Sequence, residues 1–182
     1  MAQAALILVR HGRPAIDPAT PSTTWPLCPE GRDGCAKLAE RIAAYAPTAV
    51  VSSPEPKALQ TAQILGDRVG LKVDVDPGLH EHKRQQLSFG SEQAFRQRIA
   101  AVFDKPSEPV GGVETAHAAA ERLAATLARH EGAPLVAVTH GTILSVYLGE
   151  KLNCDAHDLW RSLHMPDAFV LDADGRLIER MS

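Results

Sequence analysis

Three short apolar runs, each ending abruptly in polar residues, most constrain how this chain can fold. They occupy residues 6–9, 49–51 and 135–138. Short apolar runs bounded by turn signals are typical of strands buried on both faces, as in parallel sheets covered by helices. We therefore predict an α/β fold in which these runs form buried strands of one sheet.

The segments between the runs carry helical periodicity. In the first segment, Leu38, Ile42 and Tyr45 recur at the spacing of one helix face. Residues 72–76 alternate and predict a short additional strand. The predicted helices cover residues 30–45, 54–69, 111–130, 142–152 and 155–162. At the start of the second helix, Ser52 and Glu55 have the spacing of a capping box.

Two stretches depart from this alternation of strands and helices. Residues 82–110 contain one amphipathic helix, with Phe95, Ile99 and Val102 on one face. We predict that this stretch is a small helical cap inserted into a single domain of residues 1–182. Near the end, Asp174-Gly175 separates two short strand patterns, at 168–172 and 176–180, and predicts a C-terminal hairpin.

Length and composition limit the possible classes of function. With 182 residues, 45% hydrophobic and 23% charged, the chain has the size of one compact domain. A net charge of −3 argues against a general nucleic-acid or anionic-membrane surface. Cys28, Cys35 and Cys154 show no paired spacing and predict reduced, mostly structural thiols. Since no signal-peptide pattern or membrane-length apolar run is present, we expect a cytoplasmic protein.

Cationic and imidazole side chains stand where the apolar runs end. Arg10 and His11 follow the first run, and His140 follows the third. Lys57 lies in the first turn of the helix after the second run, where orphan backbone N–H groups favour an anion. Because ligands bind beyond the carboxyl ends of parallel strands, we expect these side chains to share one rim of the sheet. Their chemistry favours a phosphate or carboxylate ligand.

Four short motifs follow one another along nearly the whole chain. They are Arg10-His11-Gly12, Ser52-Ser53-Pro54 followed by Ala58 and Thr61-Ala62, Leu79-x-Glu81, and Thr139-His140-Gly141. In this order the sequence resembles the histidine phosphatase superfamily, the group that includes phosphoglycerate mutase. The resemblance implies a three-layer α/β/α sandwich with a mostly parallel central sheet, and a phosphohistidine intermediate.

The resemblance also implies roles for two residues that act on the reacting bonds. His11 matches the nucleophile, and Glu81 matches the proton donor. The chemistry of the residues agrees, because a neutral imidazole is not repelled by a phosphate ester, as an anionic nucleophile would be. A carboxyl group can protonate the leaving oxygen and later accept a proton from water.

A second set of residues is expected to hold the phosphoryl oxygens. Arg10 and His140 match phosphate ligands of the family. Lys57 stands where the family usually has arginine, so it remains a cation but loses the bidentate fork. Backbone N–H groups near Gly141 and Thr142 complete the predicted phosphate site.

Other positions leave alternatives open. Many family members have asparagine where this chain has Asp17, and an ionised carboxylate beside phosphate would repel it. We therefore expect Asp17 to point elsewhere or its loop to take a different path. Residues 80–82 are metal-ligand types without metal-ligand spacing, so we predict no metal site. Lys83 and Arg84 either bind an anionic substrate tail or form an ordinary solvated face.

The predicted function is a metal-independent and cofactor-free phosphatase that acts on phosphate monoesters of small metabolites. Three alternatives stay open: a mutase that returns the phosphoryl group to a bound product, a phosphohistidine protein phosphatase, and a degenerate module that binds phosphorylated ligands without turnover. The short chain and modest insert favour an open site, and hence water as the acceptor.

Overall fold

A mostly parallel sheet forms the centre of the molecule. The fold was obtained as a computed structural model, which describes residues 3–83, 92–111, 113–130 and 132–182. Within these residues, six strands form one sheet: β1 (Ala4–Arg10), β2 (Ala49–Ser52), β3 (Val73–Val75), β4 (Leu135–Thr139), β5 (Asp167–Asp172) and β6 (Leu177–Met181). Their order is β3-β2-β4-β1-β5-β6; β1 to β4 run parallel, β5 is antiparallel to β1, and β6 is antiparallel to β5. The predicted parallel sheet and C-terminal hairpin are confirmed.

Helices cover both faces of this sheet. The described residues contain α1 (Pro29–Ala43), α2 (Pro56–Val69), α3 (Glu92–Asp104), α4 (Ala116–Leu127), α5 (Gly141–Leu152) and α6 (Ala156–Ser162). On one face, Leu8 and Phe169 pack into a core with residues of α4 and α5. On the other face, Ile7 and Val138 pack with α1 and α2. Because neighbouring strand residues serve opposite cores, the three-layer arrangement is confirmed.

The start of α4 differs from the prediction. The predicted helix over residues 111–130 begins only at Ala116. Thr115 is the reason, because its hydroxyl oxygen accepts a hydrogen bond from the N–H of Ala118 at 3.0 Å and so begins the helix there.

The start of α2 corrects a second prediction, the capping box between Ser52 and Glu55. The hydroxyl of Ser52 donates instead to the carbonyl oxygen of Ser53, at 2.9 Å. Glu55 precedes the first helical residue, Pro56, and its side chain makes no capping hydrogen bond. The spacing of the motif was present, but the Glu55 carboxylate has other partners.

The long loop between β1 and α1 is tied to the body of the protein. The N–H of Cys28 donates to the carbonyl oxygen of Arg13 at 3.0 Å. A Cβ at Gly31 would collide with that same carbonyl oxygen, so glycine lets α1 lie directly against the loop. Trp25 is only 5% exposed, and its indole N–H donates to the carbonyl oxygen of Asp17 at 3.0 Å.

The predicted inserted stretch carries α3. Ile99 and Val102 are buried, and the ring of Phe103 lies 6.3 Å from that of Trp160 on α6. Residues 84–91, which include the predicted Arg84, lie outside the described residues. None of the helices in the described parts of the chain combines the length and apolar character that a bilayer crossing requires.

Candidate active site

The pairing of β1 with β4 brings two histidines together at one edge of the sheet. The two strands are parallel, with Arg10 opposite Thr139. Beyond the strand ends, the N–H of His11 donates to the carbonyl oxygen of Thr139 at 3.1 Å. His11 and His140 therefore lie side by side, with ring centroids 5.1 Å apart and ring planes inclined by 65°.

His11 is held as a neutral imidazole. Its Nδ1 lies 2.7 Å from the carbonyl oxygen of Gly12. Since a carbonyl oxygen can only accept, Nδ1 carries the proton and Nε2 keeps its lone pair. Burial, followed by the charges of His140, Lys57 and Arg10, lowers the pKa of His11 well below 6.5. His11 is thus an uncharged imidazole at neutral pH.

His140 is directed toward the residues that follow β2. Its Nε2 lies 2.8 Å from the hydroxyl oxygen of Ser53 and 3.4 Å from Oε1 of Glu55. Ser53 is fixed by the sheet, because its N–H donates to the carbonyl oxygen of Val138 on β4 at 3.0 Å. The ring itself is only 1% exposed, so its position is set by packing as well as by these contacts.

The guanidinium of Arg10 is hydrogen-bonded through one of its nitrogens, whereas another has no partner among the described residues. Its Nη1 donates to the carbonyl oxygens of Leu163 and His164, at 3.2 and 3.3 Å. Its Nε is buried without a hydrogen-bond partner among the described residues, so an oxyanion could satisfy it. A Cβ at Gly141 would lie 3.0 Å from this Nε, so glycine lets α5 begin against the guanidinium.

Lys57 lies in the same pocket and is paired with a carboxylate. Its Nζ donates to Oε2 of Glu55 at 2.5 Å and to the carbonyl oxygen of Ser22 at 2.7 Å. The side chains of Lys57 and Glu55 are only 8% and 10% exposed. Glu55 is a site residue that the sequence did not reveal, since its spacing from Ser52 matched a helix cap.

Glu81 lies at the N-terminus of α5. Its carboxylate accepts hydrogen bonds from the N–H groups of Thr142 at 3.1 Å, Ile143 at 3.0 Å and His82 at 2.8 Å. Burial lowers the pKa of Arg10, and the nearby charge of Glu81 opposes that shift. The N–H of Thr142, predicted to bind a phosphoryl oxygen, is therefore occupied here by Glu81.

Arg122 holds the loop that carries Glu81, and no sequence motif marked it. Its Nη1 donates to the carbonyl oxygens of Gly78 and His80, at 2.6 and 3.1 Å. Its Nε forms an ion pair with Glu114 at 2.8 Å. The one available signal was an arginine within the otherwise alanine-rich sequence of α4.

Two further predicted positions, Asp17 and Lys83, have hydrogen-bond partners of their own. The carboxylate of Asp17 accepts hydrogen bonds from the N–H of Ala19 at 3.0 Å and from the hydroxyl of Thr20 at 3.3 Å, in keeping with the expectation that it points elsewhere. Lys83 is exposed, and its backbone N–H donates to Glu114. Over the described ranges, no group of three or more His, Cys, Asp or Glu side chains is placed to hold a metal ion.

The cysteines are free thiols with different surroundings. Cys28 precedes α1 and its sulfur accepts a hydrogen bond from the N–H of Gly31 at 3.4 Å. Cys35 is buried, and burial raises the pKa of its thiol. Cys154 is exposed. The structural interpretation of Cys28 and Cys35 agrees with these contacts.

Comparisons with known proteins identify the family and the shared fold. A family model for the histidine phosphatase superfamily (branch 1) matches residues 6–172, whereas no curated protein matches the chain.

A mycobacterial glucosyl-3-phosphoglycerate phosphatase structure matches with a TM-score of 0.75 at 24% identity, over 96% of each chain. A phosphoserine phosphatase mutant from Entamoeba histolytica, solved with phosphoserine, matches with a TM-score of 0.74 at 18% identity, over 97% of this chain and 96% of that one. SixA from Agrobacterium tumefaciens, provisionally assigned as a phosphohistidine phosphatase, matches with a TM-score of 0.66 at 18% identity, over 99% of each chain. These structures share the fold.

The depressed pKa of His11 should make folding stability depend on pH. The folded protein keeps His11 neutral, whereas the unfolded chain binds a proton there below about pH 6.5. The contribution of neutral His11 to the free energy of unfolding is therefore fully present above pH 6.5. It falls as the pH drops below this value, by up to about 1.4 kcal/mol per pH unit. Urea unfolding of the unmodified protein and of His11→Asn between pH 5 and pH 8 measures this contribution. The slope of the variant should be smaller than that of the unmodified protein. Parallel curves for the two proteins would contradict the burial of a neutral His11.

Proposed function

The chain belongs to the histidine phosphatase superfamily, and from this membership we propose that it hydrolyses phosphate monoesters of small metabolites through a phosphohistidine. The observation that carries the proposal is the state of His11, a buried neutral imidazole whose Nδ1–H is bound to the Gly12 carbonyl oxygen, so that Nε2 keeps its lone pair. Such a nitrogen can attack a phosphate dianion without charge repulsion. The folds shared with phosphatases of small phosphorylated compounds support this substrate class.

In the first step, Nε2 of His11 bonds to phosphorus as the bond from phosphorus to the ester oxygen breaks. Arg10, Lys57 and His140 are proposed to hold the three phosphoryl oxygens, whose negative charge cationic groups stabilise throughout the transfer. The buried Nε of Arg10, which lacks a partner among the described residues, is directly suited to one of them. The N–H groups of Gly141 and Thr142 add donors at the N-terminus of α5.

Glu81 is proposed to protonate the departing oxygen, and then to take a proton from the water that attacks the phosphohistidine. Its carboxylate accepts the Thr142 N–H in this structure. A phosphoryl oxygen that binds this N–H replaces the carboxylate there. The displaced carboxyl group then lies beside a dianion, and such like-charge crowding favours its protonated form. Substrate binding would thus generate the acid that the first step needs.

We also propose that turnover needs no metal or cofactor, because the cationic side chains can stabilise the negative charge of the transferred phosphoryl group. The free thiols of Cys28, Cys35 and Cys154 are compatible with the reducing cytoplasm, which is the proposed location.

Metal independence predicts that chelation leaves turnover unchanged. Hydrolysis of nitrophenyl phosphate should survive exhaustive dialysis against EDTA, because Arg10, Lys57 and His140 take the place of a metal ion in binding the oxygens. The control is the same dialysed protein with magnesium, manganese or zinc restored. Activity that vanished on chelation and returned only with a divalent cation would replace this proposal with a metal-dependent one.

The intermediate should be found on His11. Incubation with excess nitrophenyl phosphate and rapid alkaline quenching should leave a phosphoryl group on this residue, located by mass spectrometry of peptides. His11→Ala should lose both the label and phosphate release, whereas His117→Ala, at an exposed position, should keep them. Continued phosphate release also separates an enzyme from a module that only binds phosphorylated ligands. An active His11→Ala protein would exclude His11 as the nucleophile.

The role of Glu81 predicts a dependence on the leaving group. Glu81→Gln keeps the shape but cannot donate its proton, so phosphoenzyme formation from an alkyl phosphate should slow by about 10²–10⁴-fold. Nitrophenolate leaves without protonation, so nitrophenyl phosphate should be affected much less. Pre-steady-state rates are needed because attack by water also uses Glu81. An equal loss with both compounds would mean that Glu81 only positions the substrate.

A further inference from the structure

Glu55 places a carboxylate among the residues proposed to bind the phosphoryl group. One oxygen accepts from Nζ of Lys57 at 2.5 Å, and the other lies 3.4 Å from Nε2 of His140. The second oxygen also lies 3.4 Å from the N–H of Glu81. The side chain is only 10% exposed, so water does not screen these contacts as it would at the surface.

The ordinary structural roles of a glutamate at this position do not account for these contacts. Glu55 does not cap α2 through its side chain. Lys57 has a second acceptor, the carbonyl oxygen of Ser22 at 2.7 Å, so its ammonium is not held by Glu55 alone. A buried ion pair is also weak evidence for a contribution to stability, because desolvation of both charges opposes their attraction.

The charges of the pocket show what Glu55 changes. Arg10 and Lys57 bring two cations to the side of His11, and both lower its pKa. Glu81 and Glu55 bring two carboxylates, the first near Arg10 and the second on Lys57. Both cations therefore already have a carboxylate nearby before any phosphate arrives, and Arg10 has a second one in Asp167. An incoming oxyanion competes with a resident anion for the same donors.

We propose that the carboxylate of Glu55 sets the charge of the proposed phosphoryl site, because it competes with phosphate for Lys57 and His140. This inference rests on the proposed function of the site. Its consequence is that free inorganic phosphate, the product, is bound weakly and leaves readily. The transferring phosphoryl group is retained because it is bonded to His11, which the free product is not.

Four proteins test this inference in a thermodynamic cycle: the unmodified chain, Glu55→Gln, Lys57→Met and the double variant. The probe is inorganic phosphate, with its dissociation constant measured by calorimetry at fixed pH and ionic strength. Loss of the carboxylate removes a like-charge repulsion in a poorly screened site, so Glu55→Gln should bind phosphate about tenfold more tightly or better. Lys57→Met should bind it about tenfold more weakly for the converse reason.

The double variant separates charge from positioning. If Glu55 sets the charge, the double variant loses one anion and one cation, and its phosphate affinity returns to within about threefold of the unmodified protein. If Glu55 only positions Lys57, the double variant binds as weakly as Lys57→Met, and the inference is overturned. Joint replacement of a buried ion pair by neutral side chains is commonly tolerated, so this comparison survives if Glu55→Gln alone fails to fold.

A control variant and an activity assay separate this inference from the proposed function. Glu108→Gln, which removes an exposed carboxylate outside the pocket, should leave phosphate affinity unchanged, and a gain as large as that of Glu55→Gln would overturn the inference. Hydrolysis of nitrophenyl phosphate by the unmodified chain tests the proposed function separately. An active protein whose Glu55→Gln variant binds phosphate no more tightly contradicts the role of Glu55 alone. A protein that neither hydrolyses the ester nor binds phosphate contradicts both.

Discussion

The parallel register between β1 and β4 is the constraint on which the site depends. It places Arg10 opposite Thr139, so that the next residue of each strand is a histidine at the same level of the sheet. Because side chains alternate between faces, a slip of one residue would turn His11 away from His140. The apolar residues that fill two cores on opposite faces fix this register. Packing of the sheet thus determines the 5.1 Å separation of two rings that are far apart in sequence.

Burial has opposite effects on the groups that this register collects. It disfavours a proton on His11, which leaves a neutral nitrogen, and it also disfavours the charge on Arg10. The protein keeps Arg10 charged by placing Glu81 nearby and by bonding its guanidinium to two carbonyl oxygens. A neutral imidazole and a charged guanidinium can therefore coexist in one buried cluster, because each has different neighbours.

Residues with a local signal could be predicted from the sequence, and residues with distant partners could not. Arg10, His11 and His140 stood at the ends of apolar runs, and those runs became strands of one sheet. Arg122 contacts carbonyl groups more than forty positions away, a relation that no periodicity encodes. Glu55 satisfied a local capping rule, yet its carboxylate bonds to Lys57 instead. A local pattern was misleading there because a buried cation is a stronger partner for a carboxylate than a backbone N–H group.

The two carbonyl oxygens that hold Arg10 connect the candidate site to residues far along the chain. Leu163 directly follows Ser162, the last residue of α6, so one of these oxygens lies at the C-terminal end of that helix. On its other side, α6 packs through Trp160 against the aromatic rings of α3 in the inserted stretch. The contacts that orient the guanidinium therefore run without a break from Arg10, through the end of α6, to the aromatic rings of α3.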